Sequence, residues 1–335
     1  MSSSAKPSWW AITLALLTLY IVWGSTYLAI RVGVETIPPF LMGGLRFWIA
    51  GVIVLSILAV QGKCRFSRKQ CIDNAIGGFF MLLGGNGLVS WAEETISSGM
   101  ATLVISLNPV FFVLAEWIIA TWGKGRRHSA GLGTRPNALT IVGLLIGFLG
   151  LLILVGPSPW QQGDQSLDLL RVSALVMACV NWTIGSLYIR YATDPAEPFA
   201  GAGLQMVFGA VWMLIASALL GELSSFHWNQ VSRASWWSLL YLIIAGSLIG
   251  YTSFAWLMKH ASPTLVSTYG YINPIVAVFL GWWILNESVG PRILLASATI
   301  IGGVALISLS KRRSGKEEPV IPPTEDTEVD LEHGV

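Results

Sequence analysis

Arg46 stands eight residues into an apolar run that begins near residue 38. An arginine there can hold a carboxylate through its two-pronged guanidinium, so it is a candidate counter-charge for an acidic solute. The competing role is structural: snorkelling, or pairing with Glu93 or Glu94 at the end of the next run. Glu116, deep in a later run, and Glu93 are candidate proton or charge carriers, although the neighbouring Trp117 also suits Glu116 to an interfacial role. Two Asn-Pro pairs, Asn108-Pro109 and Asn273-Pro274, lie 165 positions apart inside apolar sequence. In a helix each proline removes one hydrogen bond, freeing the carbonyls of Ile105 and Gly270, and the asparagine amide can satisfy such a group or a solute. Three roles stay open for these pairs: pivot, direct solute contact, and helix packing.

More polar and aromatic side chains interrupt the same runs: Trp23, Ser25 and Tyr27; Thr102 and Ser106; Asn181, Trp182 and Tyr188; Tyr269 and Tyr271. Such groups are costly in hydrocarbon unless they face a bundle interior or a wet cavity, so all are candidate cavity residues. Catalytic chemistry finds little support. The four histidines are scattered, no HExxH, aspartate-rich or phosphate-loop motif is present, and the Cys64-Cys71 spacing is poor for a metal. No cofactor or metal and no enzymatic activity are expected.

These residues need elements that hold them in lipid. Of 335 residues 54% are hydrophobic and 11% charged, against about 25% charged in soluble domains. Ten runs are long enough for about 20 helical residues across the hydrocarbon, near 9-31, 38-61, 72-92, 98-122, 138-156, 170-191, 198-221, 236-258, 263-285 and 291-310. The first reads as a span and not a cleaved signal. Placing the N-terminus inside puts 15 of 20 Lys/Arg on the cytoplasmic side and four outside, so both termini are expected to be cytoplasmic. The basic inner face suits anionic lipid better than nucleic acid. Residues 317-335 hold seven of 18 acidic residues and read as a disordered cytoplasmic tail.

The 165-residue offset also matches Trp91 with Trp256, Ser97 with Ser262, Val113 with Val278 and Trp117 with Trp282. Nearer the start, Trp23-Arg31 aligns with Trp182-Arg190 at an offset of 159. The fold expected is all-α and integral to the membrane, with two five-helix repeats, 1-156 and 165-316. Five is odd, so the repeats are inverted, a plan of secondary transporters working by alternating access. A passive channel or scramblase, and less plausibly a membrane-embedded enzyme, are the alternatives.

The stretch WGSTYLAIRVGVETIPPFLMGGLRFWIAG, both Asn-Pro pairs and the ILNE before the last span resemble the EamA-type transporters of the drug/metabolite transporter superfamily, over roughly 12-312. The resemblance is greatest to bacterial inner-membrane exporters. It implies a cavity lined by helices 1 to 4 and 6 to 9, with helices 5 and 10 peripheral, and export of small metabolites, often amino acids or amphipathic compounds. Glu287 matches the acidic residue ending the fourth span of a half, whereas the first half has Trp122-Gly123-Lys124 there. Residues 9-31 contain no Asp or Glu, so selectivity for organic cations is disfavoured, and neutral, zwitterionic or amphipathic solutes fit better. The expected partners are a small-molecule solute and the bilayer, with the protein a monomer or homodimer.

Overall fold

The computed structural model describes residues 8-122, 138-155, 168-261 without 193 and 195, then 266 and 269-313. Among these residues the backbone is helical, with no strand. The helices are α1 Trp9–Gly33, α2 Pro39–Val60, α3 Arg68–Ala92, α4 Ser98–Ile105, α5 Asn108–Trp122, α6 Ala138–Val155, α7 Leu169–Arg190, α8 Pro198–Leu219, α9 Arg233–Leu257, α10 Tyr269–Leu285 and α11 Pro291–Arg313. Seven segments are long and apolar enough to cross a membrane, α4 and α5 counting together as Ser98–Ile119, and three shorter apolar helices lie in α6, α10 and α11. Helices suit lipid because each satisfies its own backbone groups internally.

The chain ends these helices by local chemistry. Ser67 caps α3 and exchanges bonds with Gln70 in a capping box, and Asp168 accepts from the first amides of α7. Prolines 39 and 198 occupy the first turns of α2 and α8, where their missing N–H costs nothing. Both of those helices stop at a glycine with positive φ, Gly62 at 71° and Gly221 at 78°. These two glycines are 159 positions apart, as are the two prolines.

The packing has the same regularity. Helix α2 lies on α8, and α6 on α11. Small residues let these backbones approach: a Cβ on Gly44 would sit 2.7 Å from Leu214, and one on Gly143 would sit 2.7 Å from the Gly303 carbonyl. Thr140 and Ser310 join α6 to α11 by a 2.7 Å hydrogen bond. Helix α3 packs on α7 as α9 packs on α1, and α5 on α7 as α10 on α1. Apolar side chains such as Leu145, Leu152, Leu294 and Leu295 point outward from α6 and α11, as a lipid-facing surface requires.

Among the described residues the helices carry three π-helical stretches. They are Leu19–Trp23 in α1, Phe79–Gly87 in α3 and Leu242–Tyr251 in α9. The last two overlap when shifted by 165 positions. The extra residue per turn re-aims side chains, a device frequent at functional sites.

Candidate solute cavity

The three π-helical stretches surround one central cavity of about 70 Å³. From α1 come Trp23, Thr26, Tyr27 and Ile30, and from α2 Arg46 and Phe47. Gly85, Asn86 and Val89 of α3 face them, with Ile105 ending α4 and Asn108 opening α5. The other half contributes Ala178 and Trp182 of α7, Gly246 and Tyr251 of α9, and Tyr269 of α10. Sixteen lining residues thus come from eight separate helices and from both halves of the chain.

One end of the cavity is aromatic. Trp23 meets Trp182 edge-on with ring centres 6.2 Å apart and Tyr269 edge-on at 5.2 Å, and Phe254 packs 5.1 Å from Trp23. Arg46 also lines the cavity. Its side chain is buried, its Nε donates to Ser247 Oγ at 2.7 Å, and its guanidinium lies 4.6 Å from the centre of the Phe47 ring. It does not pair with Glu93 or Glu94, the structural partners considered from sequence. Arg31 donates to both of their carbonyls at 2.9 Å, and Arg171 takes the Glu94 carboxylate at 2.6 Å while lying 3.8 Å from the Trp91 ring.

Both ends of the bundle are fastened. On the face that the charge distribution assigns to the outside, Glu287 accepts from Ser98 N at 2.9 Å, Ser98 Oγ at 3.0 Å and Gly99 N at 3.4 Å. Glu222 likewise accepts from Leu41 N at 2.9 Å and Phe40 N at 3.3 Å. Each carboxylate answers the unpaired amides of a helix start. On the opposite face Asp194 accepts from Ser67 Oγ at 2.6 Å and Gln70 Nε2 at 3.1 Å, and Asp73 from Lys69 at 2.8 Å and the Tyr188 hydroxyl at 2.9 Å. Deeper, Gln205 accepts from the Tyr251 hydroxyl at 2.7 Å and donates to Asn74 at 2.9 Å.

The residues singled out from sequence therefore separate. Trp23, Tyr27, Arg46, Asn108, Trp182 and Tyr269 come together on the cavity wall. Thr102 and Ser106 are buried, but their hydroxyls bond back to carbonyls of their own helix, Ser98 and Leu103. Asn181 does the same toward Met177, while Ser25 reaches Tyr241 at 2.6 Å. Tyr188 serves the inner network. The side chains of Glu116 and Tyr271, and the tail 317-335, lie outside the described residues. Glu93 is fully buried and neither carboxyl oxygen has a hydrogen-bond partner. Burial, with the nearby Glu287 charge second, pushes this carboxyl well above the ordinary carboxylate range against the opposing pull of Arg31.

Asn86, Gly246 and Tyr251 were not singled out from sequence. Asn86 and Tyr251 lie 165 positions apart, so the repeat register links them, although their types differ. A second, larger hollow of about 380 Å³ runs between α10 and α11, past Pro274, Phe279, Trp282 and Leu294. Its wall is otherwise aliphatic and aromatic apart from the Ser297 hydroxyl and the Trp282 indole, which suits an acyl chain and not a polar solute.

The profile of the EamA-like transporter family matches this chain twice, over residues 9–156 and 169–309. Among curated proteins, the chain is 31% identical to the inner membrane transporter YedA of Escherichia coli strain K12, over 93% of this chain and 95% of that one. It is 24% identical to the transporter YoaV of Bacillus subtilis, covering 90% and 99%. With the S-adenosylmethionine/S-adenosylhomocysteine transporter of Chlamydia trachomatis it shares 25% identity over 91% of both. One crystal structure, 22% identical, superposes with a TM-score of 0.61 over 92% of this chain and all of that one, a likeness of fold.

Proposed function

The chain belongs to the EamA-like transporter family of the drug/metabolite transporter superfamily, and we propose that it exports small amphipathic solutes from the cytoplasm by alternating access. It is a multi-pass transporter of the bacterial inner-membrane type, as its likeness to YedA indicates. The proposed architecture is ten spans in two inverted repeats with both termini cytoplasmic. Support comes from the double family match, from the like-with-like packing of α2 on α8 and α6 on α11, and from the concentration of Lys/Arg on one side. The outward direction is carried by the family resemblance.

The observation that carries the mechanism is an aromatic and polar cavity walled by both halves and fastened at both faces by bonds between them. A volume of about 70 Å³ accommodates water but not a metabolite, since ligand pockets run to roughly 300 Å³ and more. Solute can enter only if one set of fastenings opens, and releasing one face while the other stays closed is alternating access.

Cysteine pairs placed at Ser98/Glu287 and at Ser67/Asp194, in a background without Cys64, Cys71 and Cys179, test this. Saturable flux in proteoliposomes should cease when either pair is oxidised and return on reduction. Flux that does not saturate, or that continues through a locked face, would replace the transporter with a channel.

A further inference from the structure

We propose that the cavity selects organic anions: small carboxylates with a flat aromatic or apolar body, the carboxylate on Arg46 and the body against Trp23, Trp182 and Tyr269. The inference rests on the transport reading above and names the solute class that such a cavity takes. Arg46 is 6% exposed and makes one hydrogen bond, to Ser247, leaving the outer edge of the guanidinium without an anionic partner among the described residues. A buried charge in that condition is expensive, and proteins pair or remove it.

The other half of the chain shows that removal is open to this fold. Pro39-Phe40 and Gly44-Leu45-Arg46 recur 159 positions later as Pro198-Phe199 and Gly203-Leu204-Gln205. Gln205 is also buried, but it is neutral and its amide is bonded on both sides, by Tyr251 and Asn74. The charge at position 46 is therefore an addition that packing does not require.

Three features of the wall fit an anion. A Cβ on Gly246 would come within 2.8 Å of Arg46 Nη2 and 2.9 Å of Thr26 Cγ2, so glycine there leaves the guanidinium edge its room. No Asp or Glu is among the lining residues, so an ammonium group would find no carboxylate. Asn108 Oδ1, buried without a partner on the same wall, can accept from an N–H or O–H on the solute body. Arg46 can hold a carboxylate in a charge-assisted bond that a neutral amide cannot match.

Binding of indole-3-acetate, indole-3-acetamide and tryptophan to the purified full chain, read by thermal stabilisation and competition, is the test. Wild type should bind the acid about tenfold or more tightly than either other compound, as a charge-assisted hydrogen bond supplies. Arg46→Gln, which installs the residue of the other half, should abolish that preference and keep the weak binding of the acetamide. Gly246→Ala keeps the charge but displaces the guanidinium, and should also lower the preference, giving an answer if Arg46→Gln does not fold. Equal affinity of wild type for acid and amide, tighter binding of tryptophan, no binding of any of the three, or a preference that survives both substitutions would overturn the inference. Failure of the transport reading looks different: the acid preference would hold while flux ran on through the locked faces.

Discussion

The two Asn-Pro pairs occupy equivalent places in the sequence and unlike places in the structure. At Asn108-Pro109 the helix is broken: α4 ends at Ile105, residues 106 and 107 form a turn, and α5 starts at Asn108. Pro109 then sits in a first turn, where no partner for its nitrogen is needed. The Cys179 thiol approaches the carbonyls of Val104 and Ile105 at 3.6 and 4.0 Å. At Asn273-Pro274 helix α10 continues, with Pro274 in its interior and on the wall of the apolar groove facing α11. Asn273, with its amide turned so that nitrogen faces its surroundings, can donate to the Tyr269 carbonyl 3.1 Å away and across to the Tyr20 carbonyl of α1 at 3.2 Å. The first asparagine is thus presented to the cavity, and the second is spent on holding α10 to α1. One repeated motif carries two tasks.

The largest expected effect separates the asparagines by what is measured. Asn108→Ala should lower flux about tenfold or more with little change in thermal stability, because it removes an unpartnered polar group from the cavity wall. Asn273→Ala should instead cost stability, roughly 1–2 kcal/mol for the lost side-chain hydrogen bonds that tie α10 to α1, with flux falling only as far as folded protein falls. Denaturation midpoints and transport rates on the same preparations decide it. A reversal, with Asn273→Ala silent in stability and dead in flux, would show that the second copy also touches solute.

The same comparison shows what sequence alone could not tell. Polar and aromatic residues inside apolar runs marked Trp23, Arg46, Asn108, Trp182 and Tyr269, because lipid makes such residues conspicuous, and these do meet around one cavity. Thr102 and Ser106 carried the same mark and turned inward on their own helix, a bond open to any helical hydroxyl and invisible in spacing. Tyr251 went unmarked, and the π-helical stretch that aims it at the cavity leaves no pattern in residue type. The broken helix at 106-107 was likewise hidden, since both copies contain the same dipeptide and the difference arises from what packs around them.

The prolines should diverge more modestly. Pro274→Ala supplies the missing N–H opposite the Gly270 carbonyl inside an unbroken helix, so it should raise thermal stability by about 1 kcal/mol and slow flux if α10 must bend during the cycle. Pro109→Ala should leave stability within about 0.5 kcal/mol, its proline having displaced no bond. Equal changes in both variants would mean that α10 is already bent where the proline falls.

The smallest effect comes from a second inequality between the halves. Helix α3 is followed by Glu93, and 165 positions later the chain has Met258, so a buried acid belongs to one half only. Because the Glu93 carboxyl is held well above its ordinary value of 4.5, the folded protein binds its proton more tightly than the unfolded chain does. That stability is fully present below the unfolded value and drains away as pH rises toward and through the folded one. Glu93→Gln keeps the neutral form at every pH, so its stability curve should be flatter and should lie above wild type at pH 8 by roughly 1 kcal/mol. Thermal melts between pH 5 and pH 8 measure this on the free protein. Coincident curves would mean that the carboxylate is ionised in the folded state and compensated by Arg31, which would turn Glu93 from a carrier of a proton into one half of a fixed charge pair.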